Sequence, residues 1–137
     1  MRALFSILEA RFKADPVMTR VGRKLYEGFV GERLKATLPY VEVTFGNTEV
    51  LDTFGAEYEG LETEFTVNTK GPRVDSADAI MDSLRRVYKG KAGESDELHL
   101  EVLRLIGTDG PSVEDGVYRA SMSFVAWIQR RVLLPAT

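Results

Sequence analysis

Cysteine is absent from the 137 residues, so the chain has no disulfide framework and no thiolate nucleophile. There is one histidine, His99, and without thiols a single imidazole all but excludes a tight zinc site. No D-x-[DN]-x-[DN]-G run offers a calcium loop. No apolar run reaches the roughly 18 residues of a membrane span. The N-terminal "MRALFSILEARFKADP" is interrupted by Glu9 and Arg11 and lacks a small-residue cleavage site, so it does not read as a secretory signal. A basic excess is missing too. Lys and Arg total 18 against 21 Asp and Glu, giving a net charge of −3 and a pI near 5.3. A dedicated nucleic-acid binder needs a basic face to release counterions, and this balance argues against one.

What is present is an ordinary globular mixture, 44% hydrophobic and 28% charged, which reads as one domain over residues 1–137. Arg2 to Ala14 reads as a helix, with Leu4, Phe5, Leu8 and Phe12 on one stripe and Asp15-Pro16 ending it. "VGRKLYEGFVGERLKATLPYVEVTFG" then reads as a long connection that leads into a strand from Pro39 to Phe45. Gly46 to Glu57, "GNTEVLDTFGAE", reads as a long loop, and Tyr58 to Thr69 as a strand of clear period two. Ser76 is a plausible N-cap for a helix with Ala77, Ile80, Met81, Leu84, Val87 and Tyr88 inward, closed by Gly90 at C′. Glu97 to Ile106 and Gly116 to Arg130 supply two more strands, separated by a turn region longer than two residues. The order α-β-β-α-β-β predicts an α+β domain whose helices cover one face of a four-stranded antiparallel sheet.

Chemistry is hard to find. His99, between Leu98 and Leu100 on a strand, reads as a surface or edge residue. "YKGKAGES" follows a helix and lacks G-x-x-x-x-G-K-[ST], so it reads as a solvated linker and not as a phosphate loop. The basic pairs Arg23/Lys24, Arg85/Arg86 and Arg130/Arg131 are scattered. No catalytic residue, cofactor or metal ligand emerges. Three features ask for a partner or for a bland account. Glu57, Glu59, Glu62 and Glu64 are either a solvated strand face or an acidic surface that repels phosphate. Val125 and Trp127 put apolar area on a strand face otherwise made of Arg119, Ser121, Ser123 and Gln129, which calls for a covering loop or a subunit contact. Val50, Leu51 and Phe54 are apolar in a short segment, and either dock on a neighbour or fold back on their own domain.

The stretch with Val21-Gly22-Arg23, Tyr26 and Leu38-Pro39-Tyr40-Val41, together with the order of elements over nearly the whole chain, resembles the tail-completion or tail terminator proteins of long-tailed bacteriophages and gene-transfer particles. The resemblance implies a non-enzymatic virion protein without cofactor, located in the tail after assembly in the host cytoplasm. It implies a hexameric ring of identical subunits that caps the tail tube, stops its growth and docks to the neck. Its partners would be the major tail tube protein and a head-completion or connector protein, and DNA would pass through without specific binding. No membrane is involved. On that reading Val50, Leu51, Phe54, Val125 and Trp127 are candidates for subunit or tube contacts, and Glu57, Glu59, Glu62 and Glu64 for an acidic lumen. The length of Gly46 to Glu57 departs from a plain hairpin and suits a neighbouring role, a head-tail connector or stopper. A small ligand- or peptide-binding module is the reading from another class.

Overall fold

The computed structural model describes residues 2–28, 38–54, 58–95 and 98–131, with the side chains of 51–54, 58 and 131 outside the description. Helix α1 spans Arg2–Ala14 and buries Leu4, Ile7, Leu8 and Phe12. Asp15 then caps a second helix, α2, Pro16–Gly22. Its carboxylate accepts from the Met18 N–H at 2.8 Å, and Pro16 occupies the first turn, where its missing N–H costs nothing. Asp15-Pro16 therefore ends one helix and begins the next. Strand β1, Leu25–Glu27, follows inside what the sequence predicts as a connection.

Strand β2 runs Tyr40–Phe54, β3 Tyr58–Gly71, β5 Leu98–Glu114 and β6 Val117–Arg131, with a two-residue β4 at Gly93–Glu94. Helix α3, Val74–Tyr88, crosses between β3 and β4 and starts two residues before the predicted cap, with no side-chain hydrogen bond from Arg73 at its N-terminus. Gly90 takes φ +73° after it, as a C′ residue should.

The class stays α+β, but the four-stranded antiparallel sheet is wrong. The sheet is curled and mixed, with six strands in the order β1-β2-β3-β6-β5-β4. β1 lies parallel to β2, Leu25 opposite Val41, and the remaining pairs are antiparallel. The two extra strands are too short for a period to register in sequence, and they attach by the edges of β2 and β5. Gly46 to Phe54, predicted as loop, is strand. Two residues, Gly46 and Asn47, stand opposite the single Glu64 between the Phe45–Phe65 and Thr48–Thr63 pairs, and this one extra residue changes the phase of alternation without ending the ladder. The predicted long turn after Ile106 is strand as well, carried past bulges to a two-residue turn at Asp115-Gly116. Both turn residues have positive φ, 52° and 77°, the geometry an Asp-Gly hairpin favours.

The core lies between the helices and one face of the sheet. Phe45, Phe65, Phe124 and Leu105 form one transverse row, with Phe65 and Phe124 stacked at 5.3 Å and Tyr88 edge-on to Phe124 at 6.1 Å. Leu4, Leu8 and Phe12 from α1, Met18 from α2 and Ile80, Leu84 and Tyr88 from α3 pack onto that layer. The Tyr88 hydroxyl donates to the Leu8 carbonyl at 2.8 Å, tying α3 to α1.

Candidate functional site

The helices cover one face of the sheet, and the register decides what stands on the other. Tyr40, Lys70, Arg119 and Ser112 make its first row, Glu42, Asn68, Ser121 and Asp109 the second, and Thr44, Thr66, Ser123 and Gly107 the third. Beyond the bulges come Glu64, Val125 and Arg104, then Glu49, Glu62, Trp127 and Val102. The outer face thus changes character along the strands, from basic and polar at one end to acidic and apolar at the other.

At the polar end Glu42 is fully buried and Lys70 lies 2.6 Å from its Oε1, with its own side chain only 15% exposed. Lys70 also stands over the Tyr40 ring at 5.5 Å, and Tyr26 meets Tyr40 edge-on at 5.8 Å. Asn68, Lys70, Asp109, Ser112 and Arg119 line a shallow cavity of about 190 Å³. Its cations have carboxylate neighbours, since Arg119 reaches Glu114 at 3.8 Å.

At the other end Trp127 is 40% exposed, and Ile106, 48% exposed, bulges from β5 nearer mid-sheet, between the Leu105–Phe124 and Gly107–Ser123 pairs. Val102 is half-buried beside Trp127, and Val125, although on the outer face, is buried. Glu49 and Glu62 face one another across β2 and β3, a like-charge pairing that costs stability. Among the described residues no Lys or Arg forms an ion pair with Glu49, Glu62 or Glu64. Glu101 is held by Gln129 Nε2 at 2.9 Å, which adds a further carboxylate beside the strip.

The sequence-predicted residues are divided by this register. Glu62, Glu64, Val125 and Trp127 come together on the outer face. Glu59 stands on the helix side and is ion-paired with Arg130 across the ladder. Val50 pairs with Leu61, so it also belongs to the helix side, where it is 61% exposed beyond the helices. Glu57 and the side chains of Leu51 and Phe54 lie outside the described residues. Val102, Ile106 and Glu49 are the additions that sequence reading missed. Only the bulges place them, and alternation alone would send Val102 and Glu49 to the core side.

On the helix side, Arg11, Asp15, Arg86 and Lys91 line a groove of about 300 Å³. Asp15 accepts from both Nη2 and Nε of Arg86, at 2.8 and 3.3 Å. Its pKa lies below the ordinary carboxylate value, first through the Met18 N–H and then through the Arg86 hydrogen bond. His99 is exposed and meets Glu94 at 2.9 Å on the short β4–β5 pairing. Among the described residues no group of three or more acidic, histidine or cysteine side chains is placed to hold a metal.

Solved structures provide the comparison. One chain of the virion of a native gene transfer agent particle superposes with a TM-score of 0.68 at 19% identity, over 93% of this chain and 95% of that one. The fold is shared with a virion component. In all, 22 solved chains match. No family model and no curated protein matches the sequence. At this identity the likeness is one of fold, and it extends over nearly the whole chain.

Proposed function

We propose that this chain is a structural component of a phage-like or gene-transfer particle and serves as its tail terminator. In this reading a hexameric ring of the chain caps the tail tube, stops its growth and docks to the neck. The observation that carries the reading is the end-to-end likeness to a chain of a gene transfer agent virion. The resemblance of the Val21–Val41 stretch to tail-completion proteins supports the finer role. The partners are other copies of the chain, the major tail tube protein and a head-completion or connector protein.

The site fits such a ring. Glu49, Glu62 and Glu64 make a carboxylate strip without ion-pair partners among the described residues, suited to a lumen through which DNA must slide without sticking. Trp127 shares the row of Glu62, and in this reading it faces the lumen with it. Val50, exposed at the far end of the β2–β3 hairpin, is placed to meet a tube or a neighbouring subunit. The length of the Gly46 segment, which favoured a connector or stopper, loses that weight because Gly46 to Phe54 is part of a regular hairpin arm.

Averaged electron microscopy of tail ends carrying the labelled chain tests the proposal. Sixfold density at the head-proximal end of the tube is expected, and depletion of the chain should give tubes of uncontrolled length. Labelled chain at the head vertex with normal tube lengths after depletion would move it to the connector. Its absence from particles would end the virion reading.

A further inference from the structure

An acidic lumen explains the carboxylates of the outer face but not the apolar strip beside them. Trp127 and Ile106 are 40% and 48% exposed; Val102 lies next to Trp127 in the same row, and Ile106 bulges out further along β5, past Arg104. Sliding DNA gains nothing from exposed indole and isoleucine side chains, and a soluble surface carries such a strip at a cost unless something covers it. Its surroundings state the chemistry of the cover. Glu62 and Glu64 flank it on β3, Glu49 lies beyond Glu62 on β2 and Glu101 stands on β5, against one cation, Arg104. The strip is too acidic for an acidic partner and too apolar for a purely ionic one.

We propose that this end of the outer face docks a polypeptide segment of another protein that is both basic and apolar. The segment lays aliphatic side chains on Trp127, Ile106 and Val102, and its Lys or Arg side chains reach Glu49, Glu62 and Glu64. Charge complementarity selects the partner, because Glu49, Glu62 and Glu64 form no ion pair with a Lys or Arg among the described residues. The partly exposed indole is the anchor, a residue type that dominates interface energetics when it becomes desolvated. The inference concerns the isolated chain and does not need a ring. Its failure is therefore separable from failure of the tail reading, which is decided on particles.

Trp127 is the only tryptophan, so its emission reports this face alone. The folded chain is titrated with an 18-residue amphipathic Leu/Lys peptide. A saturable blue shift of Trp127 emission is expected. In Glu62→Gln/Glu64→Gln the affinity should fall about tenfold, from loss of two charge pairs at a desolvated contact. Ile106→Ser should weaken binding similarly while melting within a few degrees of wild type. Several results overturn the proposal. One is no shift. Another is an equal response to a Lys/Ser or a Leu/Glu peptide. A third is a shift with duplex DNA, and a fourth is a blue shift from the protein alone on concentration, which would make a second copy the occupant. Binding unaffected by both variants would place the peptide elsewhere and also overturn it.

Discussion

The Glu42–Lys70 pair offers the sharpest test of how this sheet is held. Glu42 is 0% exposed and Lys70 15%, with 2.6 Å between Nζ and Oε1. Glu42 stands on the second outer row, Lys70 on the first, so the pair joins β2 to β3 diagonally near the start of β2. Lys70→Met keeps most of the packing and removes the cation, leaving a buried carboxylate without its main charge partner. Breaking a buried pair from one side costs about 3–5 kcal/mol. The lower end applies here, because the lysine side chain retains some contact with water. Unfolding entropy near 2.1 cal/mol/K per residue over 137 residues converts each kcal/mol into roughly 3.5 °C, so the melting temperature should fall about 10 °C. Circular dichroism melts at neutral pH measure it. The control is Glu42→Leu/Lys70→Met, which removes both charges and should recover at least half of the loss, since apolar replacement of a buried pair is often neutral. A single variant melting within about 3 °C of wild type would refute the reasoning and mean that Glu42's other interactions within the fold hold it as well as Lys70 does.

Other expectations follow from single contacts. Gly116, at φ +77° in open space, should lose only about 1 kcal/mol on Gly116→Ala, from backbone strain alone. Gly110→Ala should cost clearly more by chemical denaturation, because φ is +90° and a Cβ would stand 2.7 Å from the Arg119 carbonyl oxygen. Tyr88→Phe removes the donor to the Leu8 carbonyl and should destabilise by about 1–2 kcal/mol in urea melts. Burial pushes the Tyr88 hydroxyl pKa far up, so the cost of Tyr88→Phe should be full below the ordinary tyrosine value of 10.0 and shrink above it, where only the unfolded chain's Tyr88 ionises. Asp15 has a depressed pKa, so its contribution is present above its ordinary value of 3.8 and is lost as pH falls through the folded value. Asp15→Asn should therefore show a smaller drop in melting temperature than wild type between about pH 5 and pH 2.5.

The parts of this fold that were legible are those with a long uninterrupted period. Arg2–Ala14 is found with the predicted bounds, because its apolar stripe runs to a proline boundary. Leu61, Phe65 and Val67 alternate cleanly, and β3 extends only two residues past the predicted end. Helix α3 buries Ala77, Ile80, Leu84, Val87 and Tyr88 as its stripe requires. What stayed hidden had signals too short or of two meanings. Asp15-Pro16 can stop a helix or start one, and here it does both. Leu25–Glu27 is a three-residue strand that exists because β2 offers it an edge. Asp115-Gly116 was a hairpin signal in plain view, but Gly107, Gly110 and Pro111 before it dispersed the turn over ten residues.

The candidate site was hidden for a different reason. Alternation tells which side of its own strand a residue takes, but a face is made of rows that cross strands, and bulges decide which rows meet. From Val41, Val43 and Phe45, period two would carry Glu49 to the core side and Val50 to the outside. The Gly46-Asn47 bulge exchanges them, putting Glu49 opposite Glu62 and Val50 opposite Leu61. Another extra residue in β5, at Glu101, turns Val102 outward to meet Trp127. With the third bulge, which projects Ile106, these irregularities assemble the acidic row and the apolar side chains from four strands. The polar end keeps its phase from Tyr40 to Phe45 and carries the Glu42–Lys70 pair instead. This division makes a discriminating demand. Deleting Asn47 removes the one extra residue, so Glu49 should stay opposite Glu62 and peptide affinity should hold, whereas inserting a residue after Asn47 should turn Glu49 away from Glu62 and lower affinity while the Glu42–Lys70 contribution, measured by the same Lys70→Met substitution, stays in place.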